Sequence, residues 1–374
     1  MRKIFSIISM LCCFCMFAET KAPDIFQVDI SSAKQYLNMA NQAANGTMPT
    51  ESDWNNLFAS PAYKALFTKV DWNKDEFENN VKNAFNIVYD PSKTTFCDSI
   101  ARQLDNVDLS TLESELPFFV STALSVKNNL QIYSSILESF DTDKVVTEAN
   151  KLALSLVPNN GAGLEPESCP IYFIVWDLEC RALGDALFLD VNTFFHDGLQ
   201  AATESLAHEM HHFYLMPVFN TVYKDDVMDG AVLFLVNNMR EGVADILNKK
   251  QMPLTSLAPY GKRMLEIYNA DYENSPEVLA EIDKITCDYL DGKLDMEQYF
   301  QKSFGCVHFE GHTTGDYMVF LIRDQLGVEA VVESVGDLDK FIDNYNIAAE
   351  KAGKYKFSDR FTEHIHKVST SAKR

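Results

Sequence analysis

Between about Gly198 and Met216 the apolar residues Leu199, Ala202, Leu206, Met210 and Phe213 recur at spacings of three and four. That period predicts an amphipathic helix. Pro217 is expected to stop it, because proline lacks the amide hydrogen and crowds the preceding turn. A second helix is predicted from about Gly230 to Lys249. Val232, Leu233, Leu235, Val236, Val243, Ala244, Ile246 and Leu247 leave it little polar surface, so it reads as largely buried. Upstream the pattern changes. Ile171 to Trp176 is apolar throughout, as in a strand covered on both faces. Gly184 to Val191 reads as a strand entered from a turn.

The rest of the chain has mainly helical patterning. A helix is expected from Ser31, acting as cap, to Asn41, and a long amphipathic one from Phe119 to Phe140. Residues Val157 to Pro170 are rich in Pro, Gly and Asn and read as a loop or linker. From about Pro253 the helical pattern resumes, with breaks near Asp271–Pro276 and Gly305–Gly315. A helix from about Gly315 to Gln325 would be capped by Thr313 or Thr314, with Met318, Leu321 and Ile322 inward. The expectation is an α+β fold, mostly helical, in three regions: 19–156, 157–250 and 251–374. Its 374 residues suffice for a large core.

The chemistry enters at His208-Glu209-Met210-His211-His212, which fits HExxH. Positions i and i+4 share a helix face, so His208 and His212 can grip one metal ion. Glu209 sits about 100° around the helix, where its carboxylate can take a proton from a water on the metal. His211 reads as a polar residue on the helix flank. Two histidines leave a catalytic zinc site incomplete, since three protein ligands are usual. Glu241 follows 29 positions after His212, which allows a loop and an antiparallel return. Asp245, four residues on, shares its face and can accept the second ring N–H of a ligand histidine. A solvated acidic face is the plainer alternative, but buried carboxylates need partners.

HExxH followed by Glu-x-x-x-Asp on the next helix resembles the gluzincin, or thermolysin-like, zinc peptidases. The resemblance implies a zincin-like catalytic centre over about residues 184–250: a small sheet, the HExxH helix and a Glu-bearing helix. It implies one Zn2+ held by His208, His212 and Glu241, Glu209 as general base, and Asp245 orienting a ligand histidine. More narrowly, LAHEMHH with REGVAD is similar to a poorly characterised bacterial family regarded as zinc-dependent peptidases. Gluzincins also supply a His or Tyr, C-terminal to the motif, that donates to the oxyanion. The candidates here are His312 and Tyr317, within HTTGDY, and an ordinary helix start with a surface His and a core Tyr is the competing reading. Tyr214 and Tyr223 are weaker candidates.

The net charge of −22 argues against nucleic acid or an anionic membrane as partner. Arg2 and Lys3, the apolar run Ile4–Phe17 and Ala18 read as a signal peptide, 1–18, which makes the chain secreted or periplasmic. The run is short for a membrane span. Bulky residues before Cys12 disfavour a lipid anchor. Five cysteines follow it, too few for a disulfide scaffold. Cys169–Cys180 and Cys287–Cys306 are the near-sequence pairings. The leading expectation is an exported zinc-dependent peptidase acting on a peptide or protein. A non-catalytic zinc-binding protein is the alternative. A di-iron site using Glu209-x-x-His212 and Glu363-x-x-His366 is a remote third.

Overall fold

The computed structural model describes residues 25–106, 116–164, 167–175, 180–223, 229–249 and 261–374. The expected signal peptide, 1–18, lies outside the described residues. The first helices are α1 (Ser31–Ala44), α2 (Glu51–Phe58), α3 (Pro61–Lys69), α4 (Lys74–Tyr89), α5 (Thr94–Ala101), α6 (Leu116–Ser139) and α7 (Thr142–Ser155). After the sheet strands come α8 (Val191–Phe195), α9 (Leu199–Val222) and α10 (Gly230–Asn248). The chain then continues through α11 (Gly261–Glu273), α12 (Ser275–Leu290), α13 (Met296–Phe304), α14 (His312–Leu326), α15 (Val328–Ser334), α16 (Leu338–Ala352) and α17 (Asp359–Ala372).

The strands β1 (Phe26–Asp29), β2 (Cys169–Ile174), β3 (Arg181–Leu183) and β4 (Ala186–Asp190) form one mixed sheet in the order β1-β2-β4-β3. β1 and β4 both run parallel to β2, while β3 is antiparallel to β4. Every residue of β4 is buried; Ala186 to Leu189 are apolar, as a strand inside the sheet requires, and Asp190 caps α8. β1 and β3 were not anticipated. Each is three or four residues long, too short to show a period, and each is held by pairing rather than by its own pattern.

Several helix boundaries differ from the expected ones: α1 runs on past Asn41 to Ala44, and α6 starts at Leu116, three residues before Phe119. α9 runs on through Pro217 to Val222. Proline removes one backbone bond, but Val218 is buried in the core and Tyr223 N–H still closes on Phe219 C=O, so packing outweighs the local break. Ser31 is the first residue of α1 rather than its cap; its N–H donates to the Asp29 carboxylate, 2.8 Å away. α14 starts at His312, three residues early, after a cap at Gly311 with φ of 103°.

α9 is buried nearly all round, with Leu206, Ala207, His208, Glu209, Met210 and His211 all enclosed. Such a helix belongs at the centre of a fold rather than on its surface. Buried apolar residues of the sheet, of α1–α7, of α10 and of α12–α17 form one contiguous core around it. Tyr214 O–H donates to Asn150 Oδ1 at 2.6 Å and ties α9 to α7. On the far side α10 packs against α14 with almost no separation. A Cβ added to Gly242 would overlap the Gly315 carbonyl, and one added to Gly315 would overlap the Asn238 carbonyl. Only a residue without a side chain permits this approach, and it brings the start of α14 against the polar face of α10.

Candidate metal centre

α10 is started by Asp229, whose carboxylate accepts from Ala231 N–H at 2.9 Å and Val232 N–H at 3.2 Å. The same carboxylate accepts from Tyr299 O–H and meets His364 Nε2, each at 2.9 Å, which fixes it despite burial. From that start, Glu241, Asp245 and Lys249 fall at intervals of four on one face. That face meets the His208/His212 face of α9.

The three expected ligands converge. His208 Nε2 and His212 Nε2 are 2.9 Å apart, and Glu241 Oε2 lies 3.1 Å from His212 Nε2 and 3.6 Å from His208 Nε2. Among the described residues this is the one group of three His, Cys, Asp or Glu side chains close enough to share a metal ion. His208 and Glu241 are buried, and His212 is nearly so. Two ring nitrogens and a carboxylate oxygen turned onto one point, away from water, are a donor set suited to zinc. The residues therefore fit the metal.

Asp245 is fully buried and serves two histidines. Its Oδ1 lies 3.2 Å from His208 Nδ1, and its Oδ2 accepts from His312 Nδ1 at 2.7 Å. Lys249 Nζ donates to the same Oδ2 at 2.7 Å, donates to Tyr268 O–H at 3.0 Å, and sits 3.2 Å from His312 Nδ1. Tyr268 O–H in turn donates to Asp316 Oδ2 at 2.8 Å. Arg240 holds the other oxygen of Glu241, with Nε at 2.8 Å.

The protonation of the site follows from these contacts. Burial opposes charge on His208, but hydrogen bonds to Asp245 and Glu241 outweigh it and raise its pKa well above the ordinary value. Burial likewise opposes charge on Glu241, yet the charges of His212 and His312 hold its carboxyl well below the usual range. Burial dominates for His212, which is lowered to about 4. Asp316, buried beside the Asp245 charge, is pushed well up and so keeps its proton. Lys249 is raised above its ordinary value: burial works against its charge, but the Asp245 carboxylate, bound to its Nζ, more than offsets it.

A pocket of about 170 Å³ opens beside the ligands. Glu209 and His312 line it with the three ligands, as do Arg181 and Leu183 of β3, Arg240 and Glu310. His312 Nε2 is 3.4 Å from Glu241 Oε2, so the early start of α14 puts this histidine at the centre. Tyr317 is not among the lining residues. It lies five positions further along α14, on another face, with its ring 5.9 Å from Tyr272 and its hydroxyl buried. Tyr214 and Tyr223 hold Asn150 and Ser369 respectively, away from the pocket. His211 is not on an exposed flank: it is fully buried, and burial lowers its pKa to about 3, which keeps it neutral. Glu363 and His366 do not join His212; His366 meets Asp343 at 3.1 Å instead. Cys169 is not bonded to Cys180, nor Cys287 to Cys306, so neither near-sequence pairing forms.

Lys249, Arg240, Tyr268 and Asp316 were not anticipated as parts of the site. Lys249 continues the i, i+4 series of Glu241 and Asp245, and Asp316 stands four residues after His312, so the signal was spacing along a helix already in view. Tyr268 comes from α11 and had no such signal.

Residues 54–354 match the family described as "Putative zinc dependent peptidase (DUF5700)". No curated protein and no solved structure matches the chain.

Proposed function

The chain belongs to that family, and from this premise we propose that it is an exported zinc-dependent peptidase. The observation that carries the reading is the buried convergence of His208, His212 and Glu241, with the Glu209 carboxylate on the wall of the same pocket. A zinc ion held by the three ligands would polarise the scissile carbonyl and make a water acidic enough to ionise near neutral pH.

The chain's own groups do the rest. Glu209 takes a proton from the attacking water and passes it to the leaving amine. Asp245 fixes the ring of His208 from behind and so keeps Nε2 turned to the ligand point. It also accepts from Nδ1 of His312, which leaves Nε2 facing the pocket; with both ring nitrogens carrying a proton, Nε2 would donate to the oxyanion that develops on the carbonyl. His312 suits this role better than Tyr317, which does not reach the pocket. β3 lies at one edge of the sheet and lines the pocket, which puts a sheet edge beside the place where an extended peptide would bind.

The test is zinc content and turnover measured on the same preparations. The wild-type chain is expected to carry one zinc and to cleave an unstructured protein. Glu241→Gln should lose most of the zinc. Glu209→Gln should keep it while hydrolysis falls by about 10²- to 10⁴-fold. Zinc retained with no cleavage by the wild type would instead favour a non-catalytic zinc protein. No zinc in the wild type would end both readings.

A further inference from the structure

The loop before α14 has an unusual backbone. Phe309, Glu310 and Gly311 all have positive φ, at 45°, 57° and 103°. Gly311 needs this freedom, since a Cβ there would come within 2.8 Å of the Asn237 backbone. Phe309 and Glu310 have no such licence. For residues with a Cβ the left-handed region is unfavourable, and it persists only where the surroundings over-determine it.

Here they do. Asp271 of α11 holds both ends of the loop, with His308 Nδ1 2.6 Å from its Oδ1 and Thr313 O–H donating to its Oδ2. Ser275 O–H donates to the Thr313 carbonyl at 3.4 Å. The Phe309 ring packs on Tyr268, with centroids 5.1 Å apart. Between these anchors stands Glu310, exposed and on the wall of the pocket beside Glu209 and His312.

The other charges of that wall are committed. Glu209 and Glu241 belong to the catalytic and ligand set, Arg240 is bound to Glu241, and the Arg181 guanidinium lies over Trp72, 5.8 Å from the ring centre. Among the described residues no hydrogen bond or ion pair holds the Glu310 carboxylate. A strained, firmly anchored loop thus presents one uncommitted carboxylate to a small pocket.

We propose that Glu310 is the specificity-determining residue of this centre and receives a cationic group of the peptide next to the scissile bond. The inference rests on the peptidase reading. The cation is either the free α-ammonium of the chain, which would make the protein an aminopeptidase, or a Lys or Arg side chain. Both supply the same chemistry: a charge-assisted hydrogen bond to a carboxylate in a partly enclosed site.

The test reads binding, so it does not depend on turnover. Zinc-loaded Glu209→Gln and the double variant Glu209→Gln/Glu310→Gln are titrated with short labelled peptides of one neutral sequence. The peptides differ only in a free or acetylated N-terminus and in Lys or Met at the residue next to it. The Glu310-bearing chain is expected to bind one cationic form roughly tenfold more tightly than its neutral counterpart, and the double variant should lose that preference. Preference for the free N-terminus identifies the α-ammonium, and preference for Lys with an acetylated end identifies the side chain. Equal binding of all peptides, no binding to a zinc-loaded chain, or a preference that survives Glu310→Gln would each overturn the inference. Failure to load zinc would be a failure of the peptidase reading, and it is seen separately in the metal content.

Discussion

At the scale of the residue, Asp245 is the most connected group of the centre. One buried carboxylate faces His208 with one oxygen and His312 and Lys249 with the other. Its amide counterpart would keep the shape and lose the charge that offsets Lys249 and orients two imidazoles. Asp245→Asn is therefore expected to fold but to bind zinc about 10- to 100-fold more weakly, as is usual when the partner of a ligand histidine is altered. Competition with a zinc-selective fluorescent chelator measures this, and an unchanged affinity would remove Asp245 from the support of the ligands. The same view explains His211. It lies one position from a ligand, but burial without a charged partner makes it a neutral piece of the core.

At the scale of the element, the centre depends on how closely α14 can approach α10. The contact is made through Gly242 and Gly315, whose missing side chains let backbone meet backbone. Gly315→Ala places a methyl group against the Asn238 carbonyl, and α14 must move or strain to admit it. Overpacking of this kind typically costs about 1–3 kcal/mol, which urea denaturation would measure. The three proposed metal ligands lie on α9 and α10, so zinc binding is expected to survive largely, while the proposed hydrolysis should fall because His312 is carried away. A loss of stability below about 0.5 kcal/mol would mean that the helices part freely and that the glycines do not set the position of His312. The persistence of α9 through Pro217 teaches the same lesson, because packing of Val218 outweighs one missing hydrogen bond.

At the scale of the whole molecule, α11 and the loop before α14 are joined by the Asp271–His308 pair, whose strength depends on pH. The hydrogen bond to Asp271 raises the pKa of His308 above 6.5. Its contribution is present below about 6.5 and is lost as pH rises through the folded value. Asp271 is lowered: burial opposes the charge, but His308 and Thr313 outweigh it. That contribution is present above about 4 and is lost as pH falls through the folded value. The pair is thus strongest between about pH 4 and 6.5. The stability difference between the wild type and His308→Gln should be largest in that window and shrink on both sides, as read by thermal unfolding with a metal chelator present. A difference that does not vary with pH would deny the pair any charged contribution.

Much of the centre could be read in the linear sequence because it is written in helical spacing. His208 with His212, and Glu241 with Asp245 and Lys249, are intervals of four, which any α-helix turns into a shared face. Burial of α10 was legible in its apolar residues, since little else explains so many on all sides of one helix. β2 was legible for the same reason, in the apolar run expected from Ile171 to Trp176, and β4 from the turn that enters the segment Gly184 to Val191. The sequence could not reveal relations between elements. β1 and β3 exist through pairing with distant strands, and Tyr268 reaches the site because α11 packs there. Tyr317 and His312 looked equivalent along the chain, but the left-handed turn at Phe309–Gly311 and the glycine contact with α10 turned one into the pocket and left the other outside it. Local spacing determined which residues share a face; only close packing decided which faces meet, because that depends on the shapes of partners far apart in the chain.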